Sequence, residues 1–247
     1  MFNIYEYMNI PAKCELGSTI FKKNFYENAK LNKSDKELFI RHVDKIKWDY
    51  CLKPTNISIK TFKDDIREYS EIEFITVKIK IPNKTKRLAE IIMRSIPYPM
   101  IIVFENENKI QIFTAHQRIN LADNNKNTIE EFISTEWIDL DNLDDPDKKL
   151  FESLSIKNLS FTNFYIFYKD IIDNIVRYNA SKLTGKDIEQ NVDKIKKIYD
   201  DIKLIDAEIE LIKGKIKKET QFNRQMEMNM QIKELEEKKE QMLNELD

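Results

Sequence analysis

Residues 71–104 read EIEFITVKIKIPNKTKRLAEIIMRSIPYPMIIVF, and the periods within this stretch decide the fold. Ile75, Val77, Ile79 and Ile81 alternate with Thr76, Lys78 and Lys80, which is the two-residue period of a half-buried strand. Thr85 to Ser95 then takes a helical period through Leu88, Ile91 and Ile92. Pro97 ends that helix, because proline lacks an N–H and restricts the residue before it. Met100 to Phe104 is continuously apolar, as a strand covered on both faces is. The intervening Ile96-Pro97-Tyr98-Pro99 reads as a rigid helix-to-strand turn.

Working downstream, Asn106 to Asn108 is a polar turn into Lys109 to Ala115, predicting a β-hairpin, and Thr135 to Leu140 supplies one further strand. Asp139 to Asp147 is an acidic connector. Ser160 caps a helix with Phe161, Phe164, Tyr168, Ile171 and Ile175 on its apolar stripe. Upstream, a strand from Thr55 carries Ile57 and Ile59. Ser34-Asp35-Lys36-Glu37 is a capping box that opens a helix to about Tyr50, with Phe39, Val43, Ile46 and Tyr50 on one face. Ile20 to Ala29 is a shorter helix. This order predicts an α+β fold, a mainly antiparallel sheet packed with helices, followed by a long C-terminal coiled-coil helix or helical hairpin. We expect an α+β core domain over 1–148, a helical segment packed on it over 149–185, and a coiled-coil arm over 186–247.

The arm is legible from its isoleucines. Ile195, Ile198, Ile202, Ile205, Ile209, Ile212 and Ile216 follow alternating steps of three and four, the spacing of a seam that holds another helix. A second seam runs Met228, Ile232, Leu235, Lys239, Met242, Leu246 in a different register. The stretch from Lys218 to Met226 must therefore hold a stutter or a turn, leaving a bent continuous helix and a helical hairpin both open.

Composition narrows the function. Apolar residues make up 41% and charged residues 34%, and the formal net charge is −2. That balance excludes a general nucleic-acid coat and leaves only a local basic patch for such a role. The run Met100 to Phe104 is far too short to span a bilayer, and no basic-then-apolar leader opens the chain, so the expectation is a soluble, cytoplasmic protein. Three glycines disfavour a glycine-dependent phosphate loop. Cys14 and Cys51 lack metal spacing and read as reduced thiols.

Candidate sites are few. Lys78, Lys80, Lys84, Lys86, Arg87 and Arg94 form the one locally basic stretch, which suits phosphate contacts of a nucleic acid. A metal-dependent nuclease needs an acid on one strand and an acid-x-Lys on the next. Asp64, Asp65, Glu71 and Glu73 supply acids, but neither Glu71 nor Glu73 has a lysine two residues on. His42 and His116 have no ligand-spaced Cys or carboxylate and read as structural. No catalytic residue, no metal ligand and no cofactor is assigned.

Four segments, 21–28 (FKKNFYEN), 46–48 (IKW), 95–99 (SIPYP) and 219–229 (ETQFNRQMEMN), together resemble the bacterial family of domain of unknown function 4391, in the same order along nearly the whole chain. The tail segment is the most specific; the family has Lys-Gln-Phe-Asn-Arg-Lys there, and this chain carries Thr220 and Gln225 at the two lysine positions. Members resemble accessory proteins beside helicases and DNA methyltransferases in restriction-like or phage-defence loci. The resemblance therefore implies a non-catalytic assembly or regulatory subunit of a DNA-handling defence complex. Its helicase or methyltransferase partner, or a second copy, would be held by the seam residues named above together with Gln221, Phe222, Asn223 and Arg224. A divergent metal-dependent nuclease with a coiled-coil oligomerisation tail and a DNA-binding module are the alternatives.

Overall fold

The computed structural model describes residues 4–28, 31–120, 127–188 and 190–246. Two compact units divide the chain, residues 1–175 and 176–247. The first opens with α1 (Ile4–Met8), β1 (Glu15–Thr19), α2 (Lys22–Asn28), α3 (Lys33–His42) and β2 (Val43–Leu52). A short pair, β3 (Phe62–Lys63) and β4 (Glu68–Tyr69), leads to β5 (Ile72–Ile79), α4 (Thr85–Ser95), β6 (Met100–Asn106) and β7 (Lys109–Ile119). Then come β8 (Asn127–Ser134), β9 (Ile138–Asp139) and α5 (Asp145–Ser153). The helix α6 (Phe164–Thr184) starts in the first unit and ends in the second, which holds α7 (Val192–Ile216) and α8 (Phe222–Asn244).

The fold is α+β around a seven-stranded sheet in the order β1-β2-β5-β6-β7-β8, with β9 pairing on β7. Every pair is antiparallel except β5 with β6, which run parallel because α4 provides the crossover that such a pair requires. One face carries Ile46, Val77 and Phe104 side by side, and beside them Ile75, Ile102 and Phe113. Helices α2, α3 and α4 cover that face with Phe25, Phe39, Leu88 and Ile92, all buried in the same cluster. Each such apolar side chain contributes roughly 1.5–3 kcal/mol relative to exposure. On the other face α1 sets the Tyr5 ring 5.3 Å from Tyr50 and 5.9 Å from Phe74, and its hydroxyl pairs with Thr76 Oγ1 at 2.9 Å.

One expected helix holds to the residue, and the expected hairpin is present with longer strands. Helix α4 spans Thr85–Ser95, and Ile96 turns extended ahead of Pro97. The hairpin of β6 and β7 turns at Glu107, whose φ is 54°. Others are corrected. The expected helix to Tyr50 stops at His42, and Val43–Leu52 is strand β2. Its cap is Asn32, which accepts from the Asp35 N–H at 2.8 Å, rather than Ser34. Ile57 and Ile59 are buried, but residues 53–61 form turns instead of a strand. Strand β5 is buried on both faces as far as Val77, not half-buried. Ser160 does not cap α6; Asn163 does, through Ile166 N–H at 2.9 Å, while Ser160 N–H donates to Asp170. The acidic connector ends in a helix of its own, α5, capped reciprocally by Asp144 and Asp147. Ala29, the expected end of the helix from Ile20, lies outside the described residues.

In the second unit Gly185, at φ 73°, ends α6 with its N–H on Ser181 O, the left-handed stop that glycine takes without strain. Residues 217–221 then break α7 from α8, and the two pack as a helical hairpin, so the bent continuous helix is set aside. Lys239 Nζ meets Asp206 at 2.6 Å across the hairpin, and Lys194 Nζ donates to Glu245 O at 2.9 Å at its base. No helix among the described residues is long and apolar enough to cross a membrane.

Candidate functional site

The hairpin buries some of its apolar residues and leaves others exposed. Ile195, Ile198, Ile202, Ile205, Ile209 and Ile212 are all buried. Ile205, Ile209, Ile212 and Ile232 form one cluster, flanked by Ile216, Met228, Leu235 and Met242. The seam expected to hold a partner is thus closed within the chain, because α8 supplies the second helix that an amphipathic α7 requires. What remains outside is a different stripe. Phe222, Met226 and Met230 recur every four residues along α8 at 71%, 49% and 61% exposure, and Leu204 and Leu211 stand out from α7. Four-residue spacing places the α8 trio on one helix face.

The tail motif builds the turn that presents this stripe. Glu219 Oε1 accepts the Thr220 and Gln221 N–H groups at 2.8 and 2.9 Å, which holds its carboxyl below the usual carboxylate range. Gln225 Nε2 donates to Glu219 O at 2.7 Å, so this side chain closes the turn. Arg224 lies 3.8 Å from the same carboxylate, and Gln221, Phe222 and Asn223 are exposed.

The basic stretch does not form one patch. Lys78 lies on the sheet face opposite to α4, since its neighbours Val77 and Ile79 are the ones packed with that helix. Lys80, Lys84, Lys86 and Arg94 are exposed. Arg87 is committed elsewhere: its guanidinium holds Asp35 of α3 and Glu90, and Glu90 also takes Arg94 at 2.7 Å. His42 bridges Leu38 O and Asn83 Oδ1, and His116 Nδ1 pairs with Tyr69 Oη at 2.8 Å within a cluster of rings.

The four acids of the nuclease test separate. Asp64 accepts the Ile66 and Arg67 N–H groups in the β3–β4 turn, and Asp65 is exposed beside it. Glu71 and Glu73 instead converge on Cys51, with one ligand-type atom of each within 4.8 Å of the others. Trp48 Nε1 donates to Glu73 Oε2 at 2.6 Å. Burial pushes the Glu73 carboxyl up to about 7; the Trp48 hydrogen bond opposes this and the Glu71 charge adds to it. Burial also drives the Cys51 thiol up, helped by both glutamates.

A second polar group occupies the opposite sheet face. Asp49, at a β-bulge in β2, has a buried Oδ2 with no hydrogen-bond partner. Glu105 of β6 is held above the usual carboxylate range by burial and then by the Asp49 charge, against the pull of Lys47 and Lys78. On the intervening strand β5, Lys78 lies directly opposite Glu105 and Thr76 opposite Lys47, while Asp49 sits at the level of Phe74 and Ile75. Sequence reasoning missed both groups because their residues lie 20 to 56 positions apart, and β2 itself was read as helix. The signal was present only as carboxylates at Glu71 and Glu73 on a stretch otherwise apolar.

A family model described as domain of unknown function (DUF4391) matches residues 8–238. No curated protein and no solved structure matches the chain.

Proposed function

The chain belongs to the DUF4391 family, and on that footing we propose that it is a non-catalytic assembly or regulatory subunit of a bacterial DNA-handling, restriction-like phage-defence complex, binding a helicase or methyltransferase partner through its helical arm. The observation that carries this reading is the exposed Phe222, Met226 and Met230 stripe on a hairpin whose inner seam is already filled. A methionine-rich, one-sided helix face is a surface that seats in a hydrophobic groove of another protein. The inner isoleucines then serve coiled-coil-like stiffness, and docking falls to the outer face.

The test is copurification of the full chain with helicase and methyltransferase from its native operon. The parent chain retains at least one partner, and the triple variant Phe222→Ser, Met226→Ser, Met230→Ser loses it while melting like the parent. Retention by the variant, or no partner with the parent, removes this reading.

A second reading, a divergent metal-dependent nuclease, is favoured by one observation. Glu105 faces Lys78 across the β5–β6 ladder and also feels the Asp49 charge, an acid-and-lysine grouping in which Thr76 stands where an acid-x-Lys motif has its acid. Without that acid the grouping offers few oxygens for Mg²⁺, and we place it second.

A further inference from the structure

Three ligand-type atoms from two strands meet at the start of β5. Glu71 and Glu73 are two residues apart on extended chain, so their carboxyl groups project to the same side. Cys51 lies directly opposite Glu73 in the β2–β5 ladder. Its Sγ stands 3.8 Å from Glu71 Oε2, and one atom from each of the three residues falls within 4.8 Å of the others.

Glu73 separates this group from an ordinary acidic cluster. Its side chain is 0% exposed, its Oε2 takes the Trp48 N–H, and its Oε1 is buried without a hydrogen-bond partner. On that side the Glu73 carboxyl meets only the Cys51 thiol and the Glu71 carboxyl, groups that satisfy it only with a shared proton or a bound cation. Trp48 and Tyr98 frame the group: Trp48 fixes Glu73, and the Tyr98 hydroxyl is paired with the Glu71 carboxylate. These are the supporting contacts that orient metal ligands. Glu71 is half-buried and opens the group to solvent.

We propose that Cys51, Glu71 and Glu73 bind a zinc-class divalent cation, with water as fourth ligand, which clips β2 to the start of β5. One thiolate with two carboxylate oxygens suits the tetrahedral, borderline-soft zinc ion. Mg²⁺ and Ca²⁺ are hard cations that take oxygen ligands, and a thiolate in the set disfavours both. On binding, the Cys51 thiol and the Glu73 carboxyl each release a proton to solvent as the metal bonds form, and no electron is transferred. The site is independent of the assembly role, since metal uptake and partner retention are read by different measurements.

The experiment titrates the full chain, first stripped with a chelator, with Co²⁺ and then Zn²⁺. One equivalent of Co²⁺ should raise a near-ultraviolet sulfur-to-cobalt charge-transfer band, which Zn²⁺ abolishes and Mg²⁺ leaves intact. Cys51→Ser should remove the band. Loss of a supporting contact costs about 10–100-fold in metal affinity, so Trp48→Phe should weaken binding by about that factor and Glu73→Gln by more. Glu71→Gln, at a half-buried position, decides the matter if Cys51→Ser fails to fold. Absence of stoichiometric uptake by the parent chain, or affinity unchanged in Glu71→Gln and Glu73→Gln, overturns the site and leaves a carboxyl pair that shares a proton.

Discussion

Arg87 grips Asp35 with two parallel hydrogen bonds, Nε to Oδ1 at 3.0 Å and Nη2 to Oδ2 at 2.8 Å, tying α4 to α3 above the covered face of the sheet. The fork geometry is one that lysine does not reproduce. Arg87→Lys should therefore destabilise the first unit by about 1–2 kcal/mol, discounted from a fully buried pair because the Arg87 side chain is 40% exposed. DNA affinity should not change with it. Chemical denaturation and a salt-dependent binding titration check both; a loss of DNA binding without a loss of stability would return Arg87 to a phosphate-contacting role.

Glu73 makes the metal-free chain sensitive to pH. Its folded carboxyl titrates at about 7, above the unfolded value near 4.3, so the folded state holds a proton that the unfolded state has released. The stabilisation is complete below about pH 4 and declines as pH rises to about 7, with a slope of at most roughly 1.4 kcal/mol per pH unit. Glu73→Gln, which stays neutral, should flatten this decline and melt higher than the parent at pH 8. Thermal melts of chelator-treated protein between pH 5 and 8 provide the comparison, and an unchanged slope in the variant would locate the titration elsewhere.

Within the hairpin, Ile209→Ala should cost about 2–4 kcal/mol, because the methyl groups it removes are enclosed by α8. The loss should be confined to the second unit. Hydrogen exchange would show it as faster exchange over 192–244 with the β5 and β6 amides unchanged. Equal acceleration in the sheet would mean that the two units unfold together.

The purified chain should not cut DNA with Mg²⁺ or Mn²⁺, since the Asp49, Lys78 and Glu105 group lacks the acid two residues before its lysine. A plasmid-nicking assay measures this. Metal-dependent nicking that disappears in Asp49→Asn would favour the nuclease reading over the assembly role.

The sequence was most legible where one period runs uninterrupted, as in α4, the β6–β7 hairpin and α6. It misled at 43–50 for a definable reason. Val43 pairs with Ile79 and Ile46 with Val77, so a β-bulge fits three residues of β2 against two of β5 and puts positions three apart on one face. That spacing imitates a helix turn. The second bulge, at Asp49, sends Tyr50 to the opposite face, where it meets Tyr5 rather than Phe39. The Cys51, Glu71 and Glu73 group was illegible for the same cause, since it exists only once β2 is a strand beside β5. In the arm, both seams were readable, whereas their closure on each other depends on the turn at 217–221, which no glycine or proline announces.

The hairpin also sets a length. Helix α7 has 25 residues and α8 has 23, which at 1.5 Å per residue makes an arm roughly 35 Å long with Phe222 at its turn and the Lys194 to Glu245 contact at its base. In the assembly role proposed above, such a hairpin would serve as a gauge graduated by the seven-residue repeat of its seams. Deleting one repeat from each helix keeps the two apolar seams in register yet shortens the hairpin by about 10 Å. A partner that needs only the stripe would tolerate that change, while one that must be held at a set distance from its substrate would bind as before and stop working.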